Sequence, residues 1–143
     1  MIVARLNRDK LRLLAEDRLK EAAVLLENGL WTGAYYLTGL AIECALKAYL
    51  ARAVQQYDFP DKGFINRANT HELKVLVQLD GLLWEELQRE VRTDAKLRGN
   101  WEAVLEWNDE YRYETVEERH AKSLYAATIE PSSGVMEWIR RSW

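Results

Sequence analysis

The sequence predicts an all-α protein, an antiparallel bundle of four to five main helices, and three observations carry that expectation. Gly 7 and Pro 2 make about 6% of 143 residues, against roughly 12% in an average protein. Ala, Glu, Lys, Leu and Arg, the strongest helix formers, supply 73 of the 143. Apolar residues recur at three- and four-residue steps rather than alternating. The length fits one domain, 1–143, large enough to bury roughly 70% of the surface its unfolded chain exposes.

The first helix is expected from about Asn7 to Glu27, where Leu11, Leu14, Ala15, Ala22, Leu25 and Leu26 form one stripe, with a left-handed stop at Asn28-Gly29. The second runs from near Trp31 to about Gln56. Its face is small: Ala34, Ala41, Ala45 and Ala48 align, with Gly33 and Gly39 nearby. Small side chains admit a neighbouring backbone, so this helix is the expected centre of packing. Tyr57 to Asn69, with Phe59-Pro60 and Lys62-Gly63, reads as a long irregular segment.

Thr70 or Asn69 then caps a short helix with Leu73, Leu76, Val77 and Leu79, which Gly81 breaks. A further pattern has Leu83, Leu87 and Val91, and Gly99-Asn100 is expected to kink or break it before Trp101, Val104 and Leu105 resume the stripe. The last helix is expected near Thr115, with Val116, His120, Leu124 and Ala127 on its apolar face, which makes His120 a core or edge residue. Pro131 kinks that helix or opens a new turn, after which Val135, Trp138 and Ile139 continue the pattern.

A single cysteine excludes a disulfide framework and a four-cysteine zinc site, and two histidines leave few soft ligands, so neither metal nor cofactor is expected. No apolar run approaches the ~20 residues that span a bilayer, and MIVARLNRDK lacks the apolar core of a signal peptide, which points to the cytoplasm. Net charge is -3, but residues 1–20 carry six basic and three acidic side chains while 82–118 carry five and eleven. A phosphate-binding face is therefore expected along the first helix and selected arginines rather than on the acidic stretch.

Glu43 and Lys47 stand four residues apart in the favourable order for a helical ion pair. In so apolar a helix the pair needs further partners, for which Arg112 and His71 are the candidates. Cys44 reads as a small packed hydrophobe. Arg112-Tyr113, between two helices, either offers a cation and a ring to a phosphate and a base or braces Glu43. Trp143, beside Arg140 and Arg141, reads as an exposed contact residue.

The run from Trp31 and Tyr35 through Gly39, Glu43-Cys44-Ala45-Leu46-Lys47-Ala48 resembles helix 2 of HEPN domains (higher eukaryotes and prokaryotes nucleotide-binding). His71, Leu73 and Leu76, then Trp107 and Arg112-Tyr113, follow in the family's order, so the resemblance spans about residues 10 to 130. It implies a dimeric helical bundle that binds nucleotides or RNA through Glu43, Lys47, His71, Arg112 and Tyr113. Such domains stand alone or beside a minimal nucleotidyltransferase partner, and many serve toxin–antitoxin or defence systems, so a partner of that kind is what the resemblance further implies. The family's metal-independent ribonucleases place Arg and His four to six residues apart. Here Arg112 and His120 have seven residues between them, and Arg67 and His71 have three. The resemblance thus favours binding without cleavage. The alternatives are a ribonuclease that uses Arg112 and His120, and a purely structural assembly domain.

Overall fold

The computed structural model describes residues 7–56 and 62–143. The described residues are all-α: α1 (Arg8–Glu27), α2 (Trp31–Gln56), α3 (Lys62–Ala68), α4 (Leu73–Gln78), α5 (Leu82–Glu90), α6 (Ala95–Leu105), α7 (Glu118–Ile129) and α8 (Val135–Arg140), with a 3-10 turn over Asp109–Tyr113 before α7. Eight helices thus replace the expected four or five. None of them is long and apolar enough to cross a membrane.

The first two helices lie where the sequence puts them because their ends carry strong local signals. The Asn7 side chain accepts the Lys10 amide at 2.8 Å and caps α1. At the other end Gly29 takes a φ of 72°, while the amides of Leu30 and Gly29 donate to the carbonyls of Leu25 and Leu26. That 6→1 and 5→2 pair is the glycine stop that frees the chain to turn into α2.

α2 is the hub, packing against α1, α4, α7, α8 and the 3-10 turn. Ala34, Ala41, Ala45 and Ala48 have no accessible surface. At Gly39 a Cβ would stand 2.0 Å from the Trp107 indole, so the absence of a side chain there is a condition of the fold. The remaining helices each turn an apolar face inward: Leu73, Leu76 and Val77 of α4, Leu83 and Leu87 of α5, Leu97, Trp101 and Val104 of α6, and Ala121 and Leu124 of α7. Trp138 of α8 meets Trp101 edge-on at 5.6 Å.

Four expectations are corrected. Residues 62–68 of the supposed irregular segment form α3, and its first part, 57–61, lies outside the described residues. Gly99 and Asn100 do not break a helix; they lie inside α6, which starts where Asp94 accepts the Leu97 amide at 2.9 Å. The last long helix begins at Glu118, not Thr115, and its buried positions are Ala121, Leu124, Ala127 and Thr128. His120, four residues before Leu124 and in the first turn of α7, is nevertheless exposed. Trp143 is buried, because Arg12 stacks over its ring at 5.1 Å and Arg8 donates to its carbonyl oxygen. Pro131 opens a new turn, the second of the two readings it allowed.

The start of α6 is stitched to the α7–α8 turn. Asp94 accepts the Ser133 hydroxyl at 2.8 Å, Asn100 donates to the Ser133 carbonyl at 2.8 Å, and Glu130 accepts the Ser132 and Ser133 amides. The backbone amide of Leu97, then the Ser133 hydroxyl, hold the Asp94 carboxyl below its ordinary range, and the Ser133 amide does the same for Glu130. A depressed carboxyl binds fewer protons folded than unfolded, so it stabilises the fold above the unfolded value of about 4. That contribution disappears as pH falls through the lower folded value. Melts recorded across the acid range should show Asp94→Ala losing less stability than the parent as pH drops below about 4; superimposable acid limbs would contradict the stitch.

The two glycines with opposite surroundings give a second check. Gly39→Ala must displace Trp107 and should lower stability by about 1–3 kcal/mol despite the gain in helix propensity. Gly99→Ala meets nothing within 4 Å and should raise stability by about 0.5–1 kcal/mol. Urea unfolding of the two variants should therefore move the midpoint in opposite directions.

Candidate functional site

Tyr36, Gly39 and Glu43 are three and four residues apart and so share one face of α2. Trp107 covers the first part of that face, with its ring 6.1 Å from that of Tyr36. Glu43 lies one turn further on, where the face meets the connector into α4. Its side chain is only 6% exposed, a position at which a lone carboxylate is strongly disfavoured.

Both oxygens are met. Oε1 lies 2.8 Å from His71 Nδ1, and Oε2 accepts from Lys47 Nζ at 3.2 Å. A carboxylate only accepts, so Nδ1 of His71 carries a proton, and Nε2 of the same exposed ring has no hydrogen-bond partner among the described residues. The imidazole is 58% exposed although the group that orients it is buried. A local turn presents it: the Thr70 hydroxyl accepts the Glu72 amide at 3.1 Å, and Glu72 stands at the start of α4 without capping it through its side chain. Neither Thr70 nor Asn69 is the helix cap that the sequence suggests. A threonine two residues before the cap position was the available signal for this turn.

Of the two partners considered for Glu43, His71 is therefore the one that reaches it and Arg112 is not. Arg112 is exposed in the 3-10 turn, its guanidinium 4.8 Å from the ring centroid of Tyr113, itself 79% exposed. Asn108 caps this turn by accepting the Glu110 amide at 2.9 Å, and Tyr111 packs edge-on against Tyr35 of α2 at 4.8 Å. The brace from Arg112 to Glu43 is not formed. Tyr35 and Glu43 are about 12 Å apart along the α2 axis by helical rise, so the cation-and-ring pair and the Glu43 cluster occupy successive stretches of the same helix. Asp109, Glu110 and Glu114 surround Arg112 in sequence and weaken any anion site there.

His120 shares no bond with Arg112. On its helix Arg119 pairs with Glu117, and Lys122 pairs with Glu118 at 2.6 Å. Cys44, beside Glu43, is buried; burial, then the Glu43 charge, push its thiol up, which leaves it protonated and inert. One cavity lies apart from the cluster: an open apolar groove of about 470 Å³ between α1 and α2, lined by Lys20, Glu21, Val24, Leu25 and Leu37. The sequence reading did not single it out. Comparison with family models, characterised proteins and solved structures yields no match for this chain.

The arrangement around Glu43 has a spectroscopic consequence. Two-bond ¹⁵N–¹H spectra recorded at about pH 9, above the range in which histidine titrates, should show His71 with its proton on Nδ1, the minor tautomer of free histidine, and Glu43→Gln should abolish that preference. An Nε2–H signature in the parent protein would contradict the hydrogen bond to Oε1.

Proposed function

We propose that the chain is a HEPN-type module that binds a nucleotide or RNA without cleaving it. The observation that carries this reading is the buried Glu43 carboxylate of the central helix, which holds the exposed His71 ring and the half-buried Lys47 ammonium. A buried ion cluster is a poor way to stabilise a core, since apolar residues of equal volume serve as well or better. Its presence is accounted for by the imidazole it holds at the surface. Arg112 and Tyr113 supply the complementary elements of a single-strand site, an open ring for a base and a permanent cation whose hold on a phosphate is reduced, not removed, by Asp109, Glu110 and Glu114 nearby.

In this reading the module acts as a homodimer, in the cytoplasm, beside a minimal nucleotidyltransferase of a toxin–antitoxin or defence system. Support for the partner is the family resemblance. Support for the dimer includes the exposed Leu13 and Val24, which lie on one side of α1, with the apolar groove next to Val24. The alternative, metal-independent cleavage by Arg112 and His120, is favoured by one observation: both side chains are exposed and accessible to RNA. Against it stands the spacing of the two residues, with seven residues between them rather than the four to six of the family's ribonucleases.

Oligouridylate binding followed by anisotropy tests the proposal. With two or three phosphates engaged, the slope of log K against log salt should be about −1.4 to −2.1, and Arg112→Ala should reduce it by about 0.7. Tyr113→Ala should weaken binding about fivefold or more through lost stacking, while His120→Ala leaves it unchanged. Salt-independent binding, or binding indifferent to Arg112 and Tyr113, would overturn the assignment. RNA cleavage that vanishes in folded His120→Ala would establish the alternative.

A further inference from the structure

We infer that a phosphodiester binds the Glu43–Lys47–His71 cluster only together with a proton on His71, which makes this an acid-favoured anion site. The inference rests on the reading of the cluster as a phosphate contact and adds how that contact is controlled.

The argument is one of donors and charges. A phosphate oxygen accepts and never donates, so it needs an N–H at the outward nitrogen of His71, Nε2. A neutral imidazole has one N–H. In most proteins it can move to whichever nitrogen a ligand requires, at little cost. Here it cannot move, because Nδ1–H is bonded to a carboxylate whose side chain is 6% exposed. Shifting the proton to Nε2 would set a lone pair on Nδ1 against that buried charge at 2.8 Å. The tautomer is locked, and a neutral His71 faces an incoming phosphate with a lone pair. Only the imidazolium keeps the bond to Glu43 and offers an N–H outward.

The charge count agrees. Glu43 and Lys47 cancel, so the cluster is neutral with a neutral ring and carries one positive charge with a protonated one. The other charged side chains on the elements packed here do not alter the balance at the ring. Arg18 of α1 is paired with Glu21 at 2.8 Å. Arg67 of α3, Glu72 just before α4 and Lys74 of α4 are exposed and form no ion pair among the described residues. Arg112, permanently charged, supplies a contact that does not vary with pH.

The test is oligouridylate binding, with a 5′-hydroxyl end, measured from about pH 5 to pH 8, the range in which histidine titrates. Neither the diesters nor the uracils of this probe change charge there. Affinity in the parent protein should fall about tenfold or more with rising pH, the weight of a charge-assisted hydrogen bond. His120→Ala should retain the full dependence. His71→Gln, a surface change that keeps a permanent N–H donor, should bind with an affinity independent of pH. Glu43→Gln, once circular dichroism shows it folded, should likewise flatten the profile by releasing the tautomer. Binding that responds to Arg112→Ala but is flat with pH in the parent overturns the proton coupling and leaves the proposed function standing. A pH dependence that survives His71→Gln also overturns the coupling. Absence of binding at every pH overturns both.

Discussion

The structure depends on how little volume α2 offers to its neighbours. A 26-residue helix can be surrounded on nearly every side only if other helices approach its backbone closely, and alanines at 34, 41, 45 and 48 with a glycine at 39 allow that approach. The Trp107 indole occupies the space a side chain at 39 would take. Close packing of this kind excludes water, and everything polar on α2 is then placed under a strict requirement. Thr38 meets it within its own helix, bonding the Ala34 carbonyl at 2.7 Å. Glu43 cannot do so alone and draws in a residue from outside the helix.

That requirement turns a core charge into a device for holding a surface ring. An exposed histidine on a connector ordinarily samples several rotamers and both tautomers. Tied to a carboxylate that is itself immobilised by packing, His71 loses that freedom before any ligand arrives. The ordering cost is met on folding rather than on binding, which is the condition for a preorganised contact. Arg112 and Tyr113 are arranged differently. They stack on each other in the open, anchored only through Tyr111 on Tyr35, and so contribute charge and ring area with less orientational constraint.

What the sequence made legible follows from the range of each signal. α1 and α2 could be bounded almost to the residue because Asn7 and Asn28-Gly29 act on amides within a few positions of themselves. Gly99 misled because glycine marks a break only where the backbone needs a positive φ, and within α6 it is simply an exposed helical position; the true signal was Asp94. His120 stands four and seven residues before Leu124 and Ala127, in phase with the buried face of α7, yet it falls in the first turn and is exposed, so phase alone does not bury a residue at a helix end. Trp143 reads as exposed from its sequence neighbours because nothing local shows that Arg8 and Arg12, more than a hundred residues earlier, meet it. The Glu43 cluster was half legible: a charged pair on an apolar helix announces a need for partners, but only the fold chooses His71 over Arg112.

A site built this way cannot be separated energetically from the bundle that carries it. Any ligand that adds a bond to His71 or Lys47 acts on groups already bonded to the central helix, and one that binds only the folded chain stabilises it by mass action. The reverse also holds, since loosening the contact between α2 and the α4 connector would release the imidazole from Glu43. The turn carrying Arg112 lacks that linkage, because among the described residues no hydrogen bond or ion pair ties its guanidinium to the core, and it stacks on its neighbour Tyr113. Occupancy at the two stretches of α2 should therefore differ in kind: the Glu43 end responds to the state of the core, the Arg112 end to the ionic strength around it.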